Sequence, residues 1–504
     1  RHRALVLDDK GDHFLVGMAD PMDLFAFDEL QRLLPKPLRQ AVVAESQLLS
    51  TLDRVYRRTS EISSLAVELD EEIAEDAFDL ADLAASDDSE VPVVKLLQSI
   101  FEDAVQVKAS DIHIEPDEKV LRIRQRVDGV LQEHVVKETR VATALALRLK
   151  LMAELNISEK RLPQDGRFNI NVSGRNLDVR ISTMPIQNGE SVVMRLLDQS
   201  GGSIGLDKAG LPDDTLRRFR RLIHQPHGLI LVTGPTGSGK TTTLYGALME
   251  LNQPSKKVIT VEDPVEYRLE RVNQINVNPK IGLTFATVLR ATLRQDPDIL
   301  LVGEIRDNET AAIAMRAAMT GHLVLSTLHT NDAISSAMRL VDLGVEGFMA
   351  ASALRGVLAQ RLVRKICIHC KAPYTPSHTE QAWLEELGVQ SQKLQLHHGS
   401  GCTYCNNTGY SGRVGIFELL ELDDAMADAL RSADTAAFAH AARKSEGFKT
   451  LAQNALEYAG LGRTTLEEVF RVTEQMDEVA TTIKPRESSQ GPRDTGLSLE
   501  PVES

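Results

Sequence analysis

Gly228-Leu-Ile-Leu-Val-Thr-Gly234-Pro235-Thr236-Gly237-Ser238-Gly239-Lys240-Thr241-Thr242 decides the fold class. An apolar strand runs into a glycine loop, and the loop runs into the first turn of a helix, Thr-Leu-Tyr-Gly-Ala-Leu. That is the setting a phosphate-binding loop requires. Glycines let successive backbone N–H groups curl around a phosphate, and the helix N-terminus adds the positive end of its dipole. The spacing gives residues 234–242 to a nucleoside triphosphate such as ATP. Lys240 reaches the β- and γ-phosphates, and the Thr241 hydroxyl holds Mg²⁺. A glycine-rich turn without a ligand is the bland alternative.

Downstream, two apolar strands end in carboxylates: Val258-Ile-Thr-Val-Glu262-Asp263-Pro264 and Asp298-Ile-Leu-Leu-Val-Gly303-Glu304. Ligands of an open parallel sheet bind at the carboxyl ends of its strands, so both acidic ends are expected to flank the loop. Glu262 and Glu304 are the candidates for holding the metal's water shell or orienting the attacking water. Gly303 stands where an aspartate usually precedes that glutamate, which leaves Glu304 as the main metal candidate. Asp298 precedes its strand and reads as structural. A further strand, Thr320-Gly-His322-Leu-Val-Leu-Ser-Thr-Leu-His329-Thr330-Asn331, ends beside the nucleotide. His329 is thereby a γ-phosphate sensor candidate, and His322 is an equal choice between that role and a structural one.

The chain carries four cysteines, all in Cys367-Ile-His-Cys370 and Cys402-Thr-Tyr-Cys405. Two C-x₂-C pairs supply four thiolates for tetrahedral Zn²⁺. The 31 residues between the pairs exceed the usual ribbon spacing, so a helix over Thr379–Leu387 must loop out. Redox chemistry and unligated thiols are the other two readings. With four thiolates the metal shell is complete, so His369, His397 and His398 are not needed as ligands and the site is structural.

Around this centre, residues 1–57 read as a partial α/β domain, with strands at Ala4–Leu7, Phe14–Met18 and Gln40–Val43 and helices after Pro21 and over Ser46–Tyr56. A chain opening on Arg1 reads as starting inside a domain. Residues 58–90 hold twelve acidic residues from Glu61 to Glu90 and no Lys or Arg. They read as a solvated linker or, failing that, an acidic docking segment. Residues 91–198 alternate helices with antiparallel strand pairs, an α+β pattern. A Gly/Ser-rich hinge at 199–206 leads to the strand–helix alternation of a parallel sheet over 207–364. The cysteine region follows at 365–408, then a helical region at 409–483 and a disordered tail at 484–504.

Composition narrows the function. The 504 residues hold 57 basic and 72 acidic side chains, a formal charge of −15, and only 4% aromatics. Nucleic acid is therefore a poor partner, since it needs a basic face and stacking platforms. No apolar run approaches the ~18 residues of a membrane span.

The loop, Val261-Glu-Asp-Pro-Val-Glu-Tyr267, Arg294-Gln-Asp-Pro-Asp-Ile-Leu-Leu-Val-Gly-Glu-Ile-Arg-Asp307 and Thr320-Gly-His-Leu-Val-Leu-Ser-Thr-Leu-His-Thr-Asn331 occur in that order. Together they resemble the type II secretion and type IV pilus assembly ATPases. Ala109-Ser-Asp-Ile-His-Ile-Glu-Pro116, Pro163-Gln-Asp-Gly-Arg167 and Gly409-Tyr-Ser-Gly-Arg-Val-Gly415 extend the resemblance over about Val91–Ile483. Met18-Ala-Asp-Pro-Met-Asp-Leu-Phe-Ala26 and Tyr56-Arg-Arg-Thr59 are most similar to the branch that extends mannose-sensitive haemagglutinin pili.

The resemblance implies a RecA-like P-loop core preceded by a PAS-like α+β domain, with nucleotide between the two lobes. It further implies a cytoplasmic homo-hexamer, peripherally bound at the inner membrane to a platform protein and a cytoplasmic assembly protein. Arg180 and Arg195, which the sequence alone reads as solvated strand residues, match arginines that reach the phosphates; Arg290, Arg294 and Arg306 match others near the site. The paired Arg-Leu-Gly segments with which such pilus relatives bind cyclic di-GMP do not occur in Arg1–Arg57. A DNA translocase or helicase, or a nucleotide-gated scaffold suggested by the missing aspartate at Gly303, are the competing readings. Assembled-hexamer turnover separates the scaffold from a motor.

Overall fold

The computed structural model describes residues 4–20, 22–44, 47–48, 59–75, 91–198, 205–386, 394–406 and 408–473. Most of the expected helix over Ser46–Tyr56, nearly all of the hinge and the whole 484–504 tail fall outside these residues.

The first unit is small. Strands β1 (Ala4–Asp9), β2 (Phe14–Met18) and β3 (Leu38–Val42) form one sheet in that order. β1 and β2 pair antiparallel, whereas β2 and β3 are parallel. A parallel pair needs a crossover, and helix α1 (Leu24–Leu33) supplies it, capped by the Asp23 side chain on the Ala26 N–H.

The acidic stretch is not simply a linker. Thr59–Glu75 is a helix, α2, whose Ile62, Ala66 and Leu69 are fully buried in the core of the next unit, with Leu65 and Ile73 packed against it. Those five positions follow helical spacing, so one face is apolar while the acidic residues occupy the rest. Arg140 grips Asp70 with two hydrogen bonds of 3.0 and 2.7 Å. Charge counting hid an amphipathic helix. Residues 76–90 lie outside the described part.

The second unit runs α3 (Pro92–Gln106), β4 (Asp111–Pro116), β5 (Leu121–Val127), β6 (Val130–Val136), α4 (Val141–Met152), β7 (Gln164–Val172), β8 (Arg175–Ile186) and β9 (Gly189–Asp198). Its six-stranded sheet has the order β6-β5-β4-β9-β8-β7, and every neighbouring pair is antiparallel. Alternate residues such as Ile112, Ile114, Ile123, Val179 and Met194 face α2, α3 and α4 in one core. The opposite face is polar, and it matters below.

The third unit contains the nucleotide loop. It comprises α5 (Asp213–Ile223), β10 (Gly228–Thr233), α6 (Lys240–Leu251), β11 (Val258–Glu262), β12 (Val272–Asn276), α7 (Phe285–Thr292), β13 (Ile299–Val302), α8 (Asn308–Met319), β14 (Leu323–Leu328), α9 (Ala333–Asp342), α10 (Gly347–Ala353) and β15 (Leu354–Ile366). Its sheet order is β12-β11-β13-β14-β10-β15-β18, where β18 is Tyr410–Glu421, and it is parallel except at the last pair. β10 is buried throughout, as a central parallel strand covered on both faces must be. Leu229 and Leu231 join the core on one face; Ile230 and Val232 join Phe219, Leu244 and Tyr245 on the other.

β18 (Tyr410–Glu421) corrects the expected boundaries. It pairs antiparallel with β15 from Gly356↔Glu421 to Ile366↔Tyr410, so the core sheet extends past residue 364 and the helical region does not begin at 409. The cysteine region is an insertion at the tip of this long hairpin. It contains β16 (Lys371–Pro373), α11 (His378–Glu386) and β17 (His397–Gly399). Gly412 and Gly415, poor strand residues by propensity, obscured the strand in sequence.

Helices α12 (Asp424–Arg431), α13 (Thr435–Lys444), α14 (Leu451–Gly460) and a turn of helix at 466–473 close the chain. Glu418 of β18, 2% exposed, anchors them to the core. One carboxylate oxygen accepts the Ala333 N–H at 2.8 Å and the other the Leu451 N–H at 3.0 Å, each the first residue of a helix. A single buried carboxylate thus satisfies orphan donors at two helix N-termini.

Candidate functional site

The glycine loop turns where the sequence places it. Gly234, Gly237 and Gly239 have φ of 141°, 78° and 90°, in the region side chains avoid. Two of them also have no room for a side chain. A Cβ on Gly234 would lie 2.3 Å from the Gln360 carbonyl oxygen, and one on Gly239 would lie 2.7 Å from Gln360 Nε2. Helix α6 starts at Lys240, whose Nζ donates to the Gly234 and Pro235 carbonyls at 2.7 and 2.9 Å. Burial pushes its pKa down to about 8, against an opposing pull from Glu304. Ser238 Oγ is buried within the loop without a partner. A loop of inward donors, a desolvated ammonium and an orphan hydroxyl fit a polyphosphate.

Glu304 follows β13, two strands from β10. One carboxylate oxygen meets Arg306 at 2.5 Å and the other faces His329 Nε2 at 3.3 Å. Its side chain is 12% exposed while that of His329 is 51% exposed, so the imidazole keeps an open side toward solvent. The glycine before Glu304 is explained by crowding. A Cβ at Gly303 would sit 3.1 Å from the Val261 carbonyl oxygen and 3.3 Å from Glu262 Cα, leaving little space for an aspartate. Lys240, Glu304, His329 and Arg306 therefore belong to one cluster.

Glu262 does not join it. Its carboxylate lies 5% exposed and accepts from the Tyr245 hydroxyl, from Thr260 Oγ1 at 2.5 Å and from Gln274 Nε2 at 3.4 Å. Burial raises its pKa, and those hydrogen bonds oppose the rise. Both oxygens are engaged beneath the P-loop helix, because Tyr245 is on α6. In this structure Glu262 ties α6 to β11. His322 is also placed away from the loop. It precedes β14, at the strand end opposite the nucleotide, and its Nδ1 pairs with the Ala317 carbonyl at 3.0 Å. Asp298 accepts the Lys257 N–H at 2.6 Å, the structural role its position suggests.

The two arginines expected from the preceding lobe are direct cross-strand partners, Arg180 on β8 opposite Arg195 on β9. The register extends the row: Arg167 faces Arg180, Arg195 faces Asp111, and Asp111 faces Arg126. Like charges opposite one another are unfavourable, so each needs a counter-charge. Arg167 is paired with Asp178, Arg195 with Asp111 at 3.1 Å, and Arg180 with Glu266 at 2.8 Å. Glu266 belongs to the other lobe, and Arg180 also donates to the Val265 carbonyl there at 3.2 Å.

Asp111, Arg167, Arg180 and Arg195 of the row, with Pro264, line a cleft of about 490 Å³, within the range of small-molecule sites. Arg180 and Arg195 are thus brought to the turn after β11, not to Lys240. Arg290 pairs with Glu309, and Arg294 donates to the Arg290 carbonyl at 2.9 Å; neither contacts Glu304. Arg167, like Asp111 and Arg126, is a member of the row that sequence reasoning gave no role. The signal was the odd-residue alternation of β7, readable only once the register was known.

The cysteines converge. Cys367 and Cys402 sulfurs are 3.8 Å apart, Cys370 and Cys405 3.8 Å, and Cys402 and Cys405 3.7 Å. A tetrahedron with Zn–S bonds of about 2.3 Å sets sulfurs about 3.8 Å apart. A disulfide needs about 2.05 Å, so no pair is bonded. The Cys402 and Gly409 N–H groups point at the Cys405 sulfur at 3.3 and 3.2 Å, as donors to a thiolate do. The four-cysteine cluster fits zinc.

Comparison with known proteins agrees with this geometry. Residues 86–471 match the family described as type II/IV secretion system protein, and residues 1–62 match the MshEN domain. The type II secretion system ATPase E of Vibrio cholerae is 45% identical over 90% of this chain and 91% of its own length. Protein HxcR of the type II secretion system of Pseudomonas aeruginosa is 45% identical over 88% of this chain and 91% of its own. Among solved structures, the pilus retraction motor PilT with bound ADP is 29% identical, with a TM-score of 0.52 over 76% of this chain and 99% of PilT. The ATPase DotB of Legionella pneumophila, 22% identical, shares the fold with a TM-score of 0.57 over 76% of this chain and 96% of its own. The chain belongs to the type II/IV secretion system protein family, and it is an ATPase with a RecA-like core.

Proposed function

We propose that this secretion-family ATPase is a hexameric motor that hydrolyses ATP to drive pseudopilus assembly of a type II secretion machine at the inner membrane. The observation that carries the reading is the division of the site: Lys240, Glu304 and His329 on one lobe, and an arginine row on the other. Such an arrangement can be worked by lobe motion. ATP lies with its β- and γ-phosphates against Lys240 and the loop N–H groups, and the Thr241 hydroxyl would hold Mg²⁺, which would screen the phosphate charge. Glu304 orients the attacking water, with Arg306 and His329 fixing its carboxylate. The neighbours in assembly are an inner-membrane platform protein and a cytoplasmic assembly protein, and the chain works from the cytoplasmic side.

Relatives at 45% identity over nine-tenths of the chain are secretion ATPases, which favours secretion over extension of a mannose-sensitive haemagglutinin pilus. Among the described residues, no helix is long and apolar enough to cross a membrane. Replacing the chromosomal copy with Lys240→Ala tests the reading. Secreted enzymes should accumulate inside the cell while surface pili persist. Loss of pili with normal secretion would assign the motor to the pilus.

Zinc is the second part of the proposal. The cluster ties Cys367–Cys370 to Cys402–Cys405 at the tip of the β15–β18 hairpin, and metal binding there contributes folding energy. One zinc per chain is expected by elemental analysis of protein purified without chelator. Cys402→Ser should lower the melting temperature by several degrees, since each lost kcal/mol shifts it by roughly 2–4 °C in a domain of this size. Zinc-free protein with wild-type stability would remove the assignment.

A further inference from the structure

Strand β15 lies against β10, and successive residues of a strand point to opposite faces. Gln360 points to the α6 side, where its side-chain oxygen accepts from Thr243 Oγ1 at 2.8 Å. Arg361 therefore goes to the other face. It is only 4% exposed, and its Nη2 donates to the side-chain oxygen of Asn331 at 2.7 Å and to the Asn331 carbonyl at 3.3 Å. Asn331 closes the turn that carries His329. In sheet order β14 and β15 flank β10, so this bond spans the end of the strand that feeds the phosphate loop.

The charge here is unusual. Arg361 Nε is buried without a partner, and among the described residues neither Arg361 nor Lys240 forms an ion pair. Glu304 pairs with Arg306 and acts on Lys240 only through space, while Asp332 caps α9 and acts on Arg361 only through space. Burial chiefly lowers the affinity of Lys240 for its proton; Glu304 opposes this and Arg361 adds a smaller push in the same direction as burial. Two buried cations without a direct ion pair, one of them with an unpartnered Nε, are a place that an anion completes.

We propose that Arg361 is a positioning residue for ATP: its buried guanidinium adds a second positive charge behind the phosphate loop and holds the His329–Asn331 turn in register with Lys240. The inference rests on ATP binding at that loop. The guanidinium carries the charge and reaches both Asn331 oxygens through Nη2, whereas the compact lysine ammonium keeps the charge without that placement.

Binding of a fluorescent ATP analogue and steady-state hydrolysis by the full chain test it, on Arg361→Gln, Arg361→Lys and Asn331→Ala, with Lys240→Ala as the control. Arg361→Gln should weaken binding by about 10-fold or more, the scale of a lost charged hydrogen bond. Arg361→Lys should restore affinity to within about 3-fold yet leave kcat at least about 10-fold down, because the Nη2 bonds to Asn331 are gone. Asn331→Ala should share that split, with kcat reduced and affinity kept.

Wild-type binding in Arg361→Gln, or Arg361→Lys as defective in binding as Arg361→Gln, overturns the inference. Should Arg361→Gln not fold, Asn331→Ala decides, and wild-type kcat there overturns it. Lost binding in Lys240→Ala beside intact Arg361→Gln discards Arg361 alone. Retained binding in Lys240→Ala discards the loop assignment as well.

Discussion

Lys240→Ala is expected to abolish ATP turnover, and Glu304→Gln is expected to keep ATP bound while losing hydrolysis by a factor of about 10² or more. The two differ because their groups act at different stages. The Lys240 ammonium sits inside the loop, where it compensates phosphate charge in both ground state and transition state. Its removal therefore costs binding and rate together. Glu304 stands beyond the loop, 12% exposed and braced by Arg306 and His329. The amide is isosteric and preserves packing, but it cannot draw a proton from water or neutralise Arg306. One misplaced electrostatic group in a water-poor site costs roughly 10²–10³ in kcat.

Phosphate release and nucleotide titration on the same preparations measure both. Wild-type turnover in Glu304→Gln would remove that residue from the mechanism. Glu262→Gln supplies the contrast. Its carboxylate accepts from Tyr245, Thr260 and Gln274, so the change should lower thermal stability more than it lowers the rate at equal occupancy.

The phosphate loop was legible because local sequence dictates it: an apolar strand, glycines at the positive-φ positions and a helix start leave one arrangement. The cysteine cluster was legible for the same reason, since two C-x₂-C pairs have few other uses. Four features needed the fold. The amphipathic helix Thr59–Glu75 was hidden because its acidic content outweighed the spacing of Ile62, Ala66 and Leu69. The strand Tyr410–Glu421 carries Gly412 and Gly415, and only its pairing with Leu354–Ile366 makes it a strand.

Glu262 and Glu304 look alike in sequence, each at the end of an apolar strand. What separates them is Tyr245, which approaches Glu262 from a helix 17 residues earlier in the chain. The arginine row is a matter of register between strands, and no single segment announces it.

A lone subunit should be a poor enzyme. Arg180 and Arg195 stand on neighbouring strands of the first lobe, and the contacts in this structure direct them to Glu266 and Asp111, away from Lys240. Each is held by one carboxylate at 2.8–3.1 Å. A triphosphate with its developing charge is the stronger anion, so closing the lobes can exchange these carboxylates for phosphate oxygens. A second bridge constrains the swing: Asp128, at the β5–β6 turn, accepts the Gly412 N–H at 2.7 Å from the far lobe.

In the proposed hexamer, a neighbouring subunit can bias these contacts between the lobes. Turnover per subunit is expected to rise steeply with protein concentration as hexamers form. Arg195→Ala should reduce kcat by about 10³, the lower end for an arginine that completes phosphoryl transfer, while changing ATP affinity far less. Rate measured beside sedimentation over the same concentrations checks both. A rate per subunit that stays flat from monomer to hexamer means that the arginines do not act through closure. The carboxylates that hold them now would then be their permanent partners.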